Sequence, residues 1–339
     1  MIKVGVDVTW LPHDQRGMGR FVRSIIEVLR TEPEVALTYT SRRPQETRLG
    51  PVLGQDVPVL GWKNPGLEGL DVCWYPWNRI DVPAPTRRVV TIHDTGAVDW
   101  PVPGRLAFLD NRKARRMLEQ AVARAHRVMT VSQFTKGRIE SLFRPAAVDV
   151  VSEGVSADGP VEPVPVSRPF VLYVGAVEPR KNVAGLLEAW ARLVAEGRVG
   201  DRVLALRADP PLPPGPQVVS ITGVSEAGLR WLYRNCDAFV MPSFYEGFGL
   251  PLLEAMAAGA PVASSREASL PEVGGKVPEY FDPRNIEDMA AAIERTLNDS
   301  ERIERMRSAG PKQAGLFTWE RAALLVLESL FATAEMAGV

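Results

Sequence analysis

Glu246 and Glu254, eight positions apart in the stretch Pro242–Pro261, have the types and spacing that most directly suggest chemistry in this chain. Glu246 lies in a loop with Gly247 and Gly249, just after the apolar run Ala238–Met241, which reads as a strand. Glu254 is expected in the first turn of a helix opened by Pro251, since proline's fixed φ and missing N–H suit a helix start. The glycines let backbone press close to a ligand. The unpaired N–H groups and positive end of a helix make an anion site. Two hydroxyl-accepting carboxylates beside such a site suit a nucleotide sugar. Taken singly, Glu246 also fits a solvated loop residue, and Glu254 an ordinary acid in a first helical turn.

A second cluster sits in Gly175–Asn182, which links an apolar strand to a helix with Leu186, Leu187, Trp190 and Leu193 on one face. Asn182 is a natural N-cap. Arg180 and Lys181 precede it, where strand-end loops of open α/β sheets meet ligands. Two fixed cations there could hold a diphosphate and stabilise its growing charge; two solvated charges in a surface turn is the plainer alternative.

The elements that must position these groups are short β-rich runs alternating with amphipathic helices, the pattern of an α/β protein with parallel sheets. Strands are expected at Lys3–Val8, Val35–Thr40, Val57–Leu60, Asp71–Tyr75, Arg88–Ile92, Arg127–Val131 and Val148–Val151. A proline-dense segment then interrupts the pattern and reads as a semi-rigid linker. Strands resume at Phe170–Val174, Arg202–Leu206, Val218–Thr222, Ala238–Met241 and Pro261–Ala263. The expected organisation is a first doubly wound domain over 1–158, a linker over 159–169 and a second doubly wound domain over 170–318, with a cleft between the two domains. A terminal helix over 319–339 buries Ala322, Leu325, Val326 and Leu330 against a domain that the pattern alone does not identify.

Composition narrows the classes. At 339 residues the chain has room for about two domains. Its 45% hydrophobic and 24% charged content is that of a globular protein with sizeable cores. A net charge of −1 argues against a nucleic-acid partner. Cys73 and Cys236 lie far apart inside apolar runs and read as reduced core residues. With three histidines and no Cys/His cluster, a transition-metal site is not expected. The start of the chain alternates like a strand and lacks a secretory apolar region, and no run reaches membrane-spanning length, so a cytoplasmic protein is expected. The absence of any Asp-x-Asp removes the common carboxylate pair that bridges a metal to a diphosphate; cationic side chains and helix ends should do that work, with no cofactor.

In the first domain, Gly17 and Gly19 are expected ahead of a helix bearing Phe21, Ile25 and Leu29, with Arg20 adding charge, though a plain turn fits as well. His93 follows the strand Arg88–Ile92, at a carboxyl end where α/β sites collect; a structural histidine is the alternative. Arg112, Lys113, Arg115 and Arg116, with Arg105 before and Arg124 and Arg127 after, decorate a helix whose buried side is Met117, Leu118, Ala121, Val122 and Ala125. They fit a surface meeting anionic lipid or a polyanionic acceptor, or simply a solvated face. Trp77 and Trp100, near turn residues, could stack on an acceptor sugar, whereas Trp74 reads as core.

With these motifs in place, the sequence resembles the retaining GT-B-fold glycosyltransferases of family 4, particularly the GDP-mannose-dependent mannosyltransferase branch. The resemblance covers nearly the whole chain. It rests on Glu178–Asn182 (EPRKN), Tyr245–Glu254 (YEGFGLPLLE), Ser269–Val273 (SLPEV), Val131–Lys136 (VSQFTK) and Phe317–Glu320 (FTWE). It implies two Rossmann-like domains facing across a cleft, with donor on the second, acceptor on the first, and closure to exclude water. It implies that Arg180 and Lys181 bind the donor diphosphate, Glu246 the hydroxyls of the transferred sugar and Glu254 the ribose. Gly247, Phe248, Gly249 and Leu250 would line the donor, and backbone around Ser269 and Leu270 would add phosphate contacts. The Gly17–Gly19 loop would help hold phosphate and acceptor, and His93 would lie beside the reacting sugar, making it and Glu246 the catalytic candidates. The expected reaction moves a hexose from a nucleoside diphosphate sugar to an acceptor hydroxyl of a glycan, glycolipid or small molecule, independent of metal. A non-catalytic nucleotide-sugar-binding subunit is the alternative. Where the family has a longer, glycine-bearing stretch, Arg207–Pro216 is short and proline-packed, which leaves the base of the donor open.

Overall fold

The computed structural model describes residues 1–14, 17–101, 107–156, 158–167, 169–213 and 215–336; Arg105 lies outside them. The chain forms two compact units. The first comprises Met1–Gly154 and the chain from Trp319 onward; the second is Val155–Thr318.

The first unit is built on β1 (Ile2–Asp7), β2 (Val35–Ser41), β3 (Val59–Gly61), β4 (Val72–Tyr75), β5 (Arg87–Ile92), β6 (Arg127–Thr130) and β7 (Val148–Val150). These pair in parallel in the order β3-β2-β1-β4-β5-β6-β7. The second unit repeats the scheme with β8 (Phe170–Ala176), β9 (Val203–Asp209), β10 (Val218–Ser220), β11 (Ala238–Met241), β12 (Val262–Ser265) and β13 (Glu279–Phe281). Their order is β10-β9-β8-β11-β12-β13, again with parallel pairing. Central strands such as Val72–Tyr75 and Ala238–Met241 are buried at every position, as expected of parallel sheets covered on both faces. Both orders reverse beside their first strand, and the crevice at such a reversal is where open α/β sheets bind ligands.

The strand pattern departs most from expectation at β9 and β13, with smaller end shifts elsewhere. β9 runs on to Asp209, three residues past the expected end, because Ala176 and Gly175 of β8 continue to pair with it. β13 was not expected: only Glu279–Phe281 pair with β12, a run too short and too closely flanked by Pro278 and Pro283 to show a period. Cys73 and Cys236 are free and buried, and burial pushes both thiols up to about 12. No helix among the described residues is long and apolar enough to cross a membrane.

The terminal helix, Trp319–Ala334, packs on the first unit. Ala322, Ala323, Val326, Leu327 and Leu330 join the core containing β1 and the Gly17–Leu29 helix, and Trp319 meets Phe21 edge-on at 6.3 Å. Polar bonds fix its register: Arg127 forks onto Asp149 at 3.0 and 2.9 Å, Ser329 Oγ donates to Asp149 at 2.7 Å, and Arg127 Nε donates to Thr333 Oγ1 at 3.2 Å. Arg127, offered above as part of a cationic surface, is therefore committed to holding this helix. Leu330 is fully buried, so Leu330→Ala should cost about 2–5 kcal/mol in equilibrium denaturation. A loss below about 1 kcal/mol would contradict this packing.

Candidate functional site

In the second unit the loops after β8 and β11 flank the strand-order reversal. The chain leaves β8 through a 3-10 turn at Pro179–Lys181, closed by Lys181 N–H to Glu178 O at 2.9 Å and Asn182 N–H to Pro179 O at 3.2 Å. Phe244 N–H then donates to Arg180 O at 2.8 Å, tying this turn to the β11 loop. That loop carries Glu246, which is only 5% exposed. Lys181 Nζ sits 2.7 and 2.6 Å from its two carboxylate oxygens, Ser243 Oγ donates to Oε1 at 2.7 Å, and Arg180 lies 3.7 Å from Oε2. A solvated loop acid is thus ruled out for Glu246. Arg180 is further anchored by Glu178 at 2.8 Å. Burial, with the Glu246 and Glu178 carboxylates nearby, pushes the Tyr173 phenol up, so it stays a neutral donor, to Ala176 O at 3.0 Å.

The glycines do what their positions require. Gly249 has φ 109°, and a Cβ there would stand 2.7 Å from Leu270 Cδ2. Ser269 Oγ, 3.0 Å from Glu246 O and 2.8 Å from Phe248 O, pins the same loop from beneath, and the Leu270 N–H is taken by Glu267 O at 3.2 Å. Tyr245, Phe248 and Leu250 are buried, so these residues can offer a ligand backbone more readily than side chain. The helix that follows, Leu250–Ala257, has Gly249 as N-cap and proline in its first two positions. Glu254 consequently falls one turn deeper than expected, and the first turn holds no acid. It is half-buried and held by Tyr233 Oη at 2.9 Å. Leu252 and Leu253 N–H both reach Gly249 O, at 3.0 and 3.2 Å, so the amides left to face an anion lie at or before Leu250. Asn182 does cap the next helix by position, but in left-handed conformation; its side chain makes no cap bond and donates to Pro283 O at 2.8 Å.

In the first unit, Gly17 and Gly19 lie in the first turn of the Gly17–Leu29 helix, not ahead of it. A Cβ on Gly19 would stand 1.8 Å from Asp14 O, so the preceding loop can fold back only over glycine. Arg20 and Phe21 follow in that helix, with Phe21 edge-on to His93 at 5.1 Å. His93 is buried, with Nε2 at 3.0 Å from Pro76 O. A carbonyl can only accept, so Nε2 carries the hydrogen. Nδ1 has no hydrogen-bond partner and lies 3.5 Å from Glu153 Oε1. Trp77, offered as a stacking platform, is buried with Nε1 on Asp7 O at 2.7 Å, and Trp74 is core. An exposed aromatic near these strand ends is Trp10, with the Arg79 guanidinium 5.2 Å over its ring. Among the described residues no group of three or more His, Cys, Asp or Glu is placed to hold a metal ion.

Sequence reasoning missed Ser243, Tyr233 and Glu153, which support Glu246, Glu254 and His93, and it missed Asp7. A strand-end carboxylate at Asp7 was visible in the sequence; its burial was not. Asp7 is 1% exposed and accepts from the Thr9 N–H and hydroxyl. Burial raises its pKa from 3.8 to about 6, against those two bonds. The folded state then keeps a proton that the unfolded chain has released, so stability falls as pH rises from about 4 to about 6. Asp7→Asn should therefore gain on the parent across that window, by on the order of 3 kcal/mol at pH 7. Denaturation midpoints at pH 4.5 and 7 that shift equally in both proteins would refute this.

Several known proteins resemble this chain. The family described as Glycosyl transferases group 1 matches residues 168–299. The O-antigen chain mannosyltransferase B of Escherichia coli is 32% identical over 262 residues, covering 69% of this chain and 67% of that protein. The serotype-specific mannosyltransferase WbdA of Escherichia coli is 34% identical over 172 residues, covering 47% of this chain and 21% of WbdA, so the chain spans about a fifth of that relative. HepE of Anabaena, solved in complex with UDP and glucose, superposes with a TM-score of 0.75 at 14% identity, covering 98% of this chain and all of that one. At that identity the likeness speaks to the fold, which is GT-B. With two parallel-sheet Rossmann-like units, and a relative 32% identical over two thirds of its own length, the chain belongs to the group 1 glycosyl transferases, in their mannosyltransferase branch.

Proposed function

We propose that this glycosyltransferase moves a hexose, mannose in preference to glucose, from a nucleoside diphosphate sugar to an acceptor hydroxyl during glycan, glycolipid or glycosylated-metabolite synthesis, with retention at the anomeric carbon and without a metal. The observation that carries this reading is the Lys181–Glu246 pair with Arg180 beside it. Two cations at a strand-order reversal can take over the role a metal would otherwise have against a diphosphate. Both cations also neutralise Glu246, so donor binding is an exchange. The incoming diphosphate takes up Arg180 and Lys181, and Glu246, relieved of part of that pairing, turns its oxygens to the sugar hydroxyls. Glu254, oriented by Tyr233, accepts from the ribose.

In the transfer step the bond from C1 to the diphosphate oxygen breaks as the acceptor oxygen bonds C1 on the same face. The acceptor's proton passes to the departing phosphate oxygen, whose charge Arg180 and Lys181 stabilise. Glu246 is then a positioner and electrostatic stabiliser, and His93 the candidate contact of the first unit. The relatives named as mannosyltransferases support mannose as the transferred sugar, and the resemblance of the motifs to the GDP-mannose-dependent branch supports GDP as its carrier. The reading takes the enzyme to be cytoplasmic and to meet the membrane only peripherally.

Thermal unfolding with UDP, GDP and dTDP, with and without magnesium, tests the donor site. A nucleotide at a hundred times its dissociation constant adds about 2.7 kcal/mol, and a rise selective for GDP and indifferent to magnesium is expected. No rise with any nucleotide would favour a non-catalytic protein. Lys181→Ala should weaken nucleotide binding about tenfold or more, in line with a lost charge-assisted bond. Glu246→Gln should lower kcat while nucleotide affinity holds; turnover left intact would remove Glu246 from the mechanism.

A further inference from the structure

The helix Ala107–Arg124 presents an outward face that nothing in the transfer chemistry uses. Its inward side is Leu118, Ala121 and Val122, all buried. On the opposite side, Phe108 is 61% and Leu109 70% exposed, the largest values for any big apolar side chain among the described residues after Met1. At helical spacing Phe108 lies above Arg112, Leu109 above Lys113, and Arg112 above Arg116. Arg112, Lys113, Arg115 and Arg116 are all exposed, and none makes an ion pair among the described residues. The other end of the basic run is different: Arg124 donates to Ile80 O at 2.9 Å, and Arg127 is committed to Asp149. The run therefore divides into a structural half and a free cationic half, and the free half carries the two exposed apolar side chains.

A solvated helix face would keep its cations and gain nothing from Phe108 and Leu109. A soluble polyanion would use the cations and leave the apolar pair in water. A bilayer with anionic headgroups uses both, since cations collect at its surface potential while apolar side chains enter the boundary beneath. We propose that Phe108, Leu109, Arg112, Lys113 and Arg116 form a docking face for an anionic lipid surface. This deepens the peripheral-contact part of the functional reading and does not depend on the transfer step.

The test is co-sedimentation of the full chain with vesicles of phosphatidylcholine alone and with 30% phosphatidylglycerol (about that fraction suffices for a strong surface potential). Binding is expected only to the anionic vesicles and should weaken steeply with salt. Arg112→Glu with Arg116→Glu should lower the partition coefficient more than tenfold, since each cation contributes roughly a fivefold factor. Phe108→Ser with Leu109→Ser should lower it several-fold at constant charge. Unchanged thermal midpoints and nucleotide-induced shifts in these variants would separate lost docking from lost folding or a failed donor site. Equal binding to both vesicle types, or no binding to either, overturns the proposal. So does binding that soluble polyphosphate displaces fully and that the serine variants leave intact, which would assign the face to a polyanion instead.

Discussion

A carboxylate at 5% exposure cannot be left with its charge uncompensated, and the second unit is arranged around that constraint at Glu246. Neutralisation comes from Lys181 and Arg180, two side chains of the 3-10 turn Pro179–Lys181, which lie 65 and 66 positions before Glu246 in sequence. The pairing draws the loops after β8 and β11 together across the strand-order reversal. Ser243 from one side and Ser269 from the other then fix the carboxylate and the backbone that carries it. An ion pair of this kind adds little net stability, because desolvation consumes most of the attraction. What it provides is opposite charges brought together at the strand ends by the protein itself, the kind of preorganisation that stabilising developing charge requires.

The first unit uses the same topology with different chemistry. Its strand ends carry Asp7, Trp77, Asn78 and His93, and these satisfy one another: Trp77 on Asp7 O, Asn78 on the His93 N–H, Pro76 O on the His93 ring. Polar groups this far from water must be paired within the protein. The imidazole nitrogen facing Glu153 is an exception, and it sits at the carboxyl end of a central strand where ligands of open α/β sheets collect. The terminal helix completes this unit's core, so the first unit is assembled from the two ends of the chain.

Much of this was legible in the residue pattern, for identifiable reasons. Parallel strands buried on both faces must be continuous apolar runs, so β1 to β12 could be located from composition along the chain, with ends shifted by at most three residues. β13 escaped because three residues carry no period. The association of Glu178–Asn182 with Tyr245–Glu254 was readable as chemistry, two cations and two carboxylates near helix starts, because such groups recur where phosphate and hydroxyls are bound together.

Residue types and spacing by themselves determined the doubly wound class, the two-unit organisation and the identity of the charged residues that meet at the second unit's strand ends, since each follows from local periodicity or from chemistry within one short stretch. Tertiary structure alone decided that Glu246 is buried and paired with Lys181, that Glu254 sits a turn deeper and is held by Tyr233, that Asp7 is sealed from water, and which unit receives the terminal helix. These depend on burial and on contacts between residues distant in sequence, and a pattern that repeats every two or 3.6 residues carries no record of either.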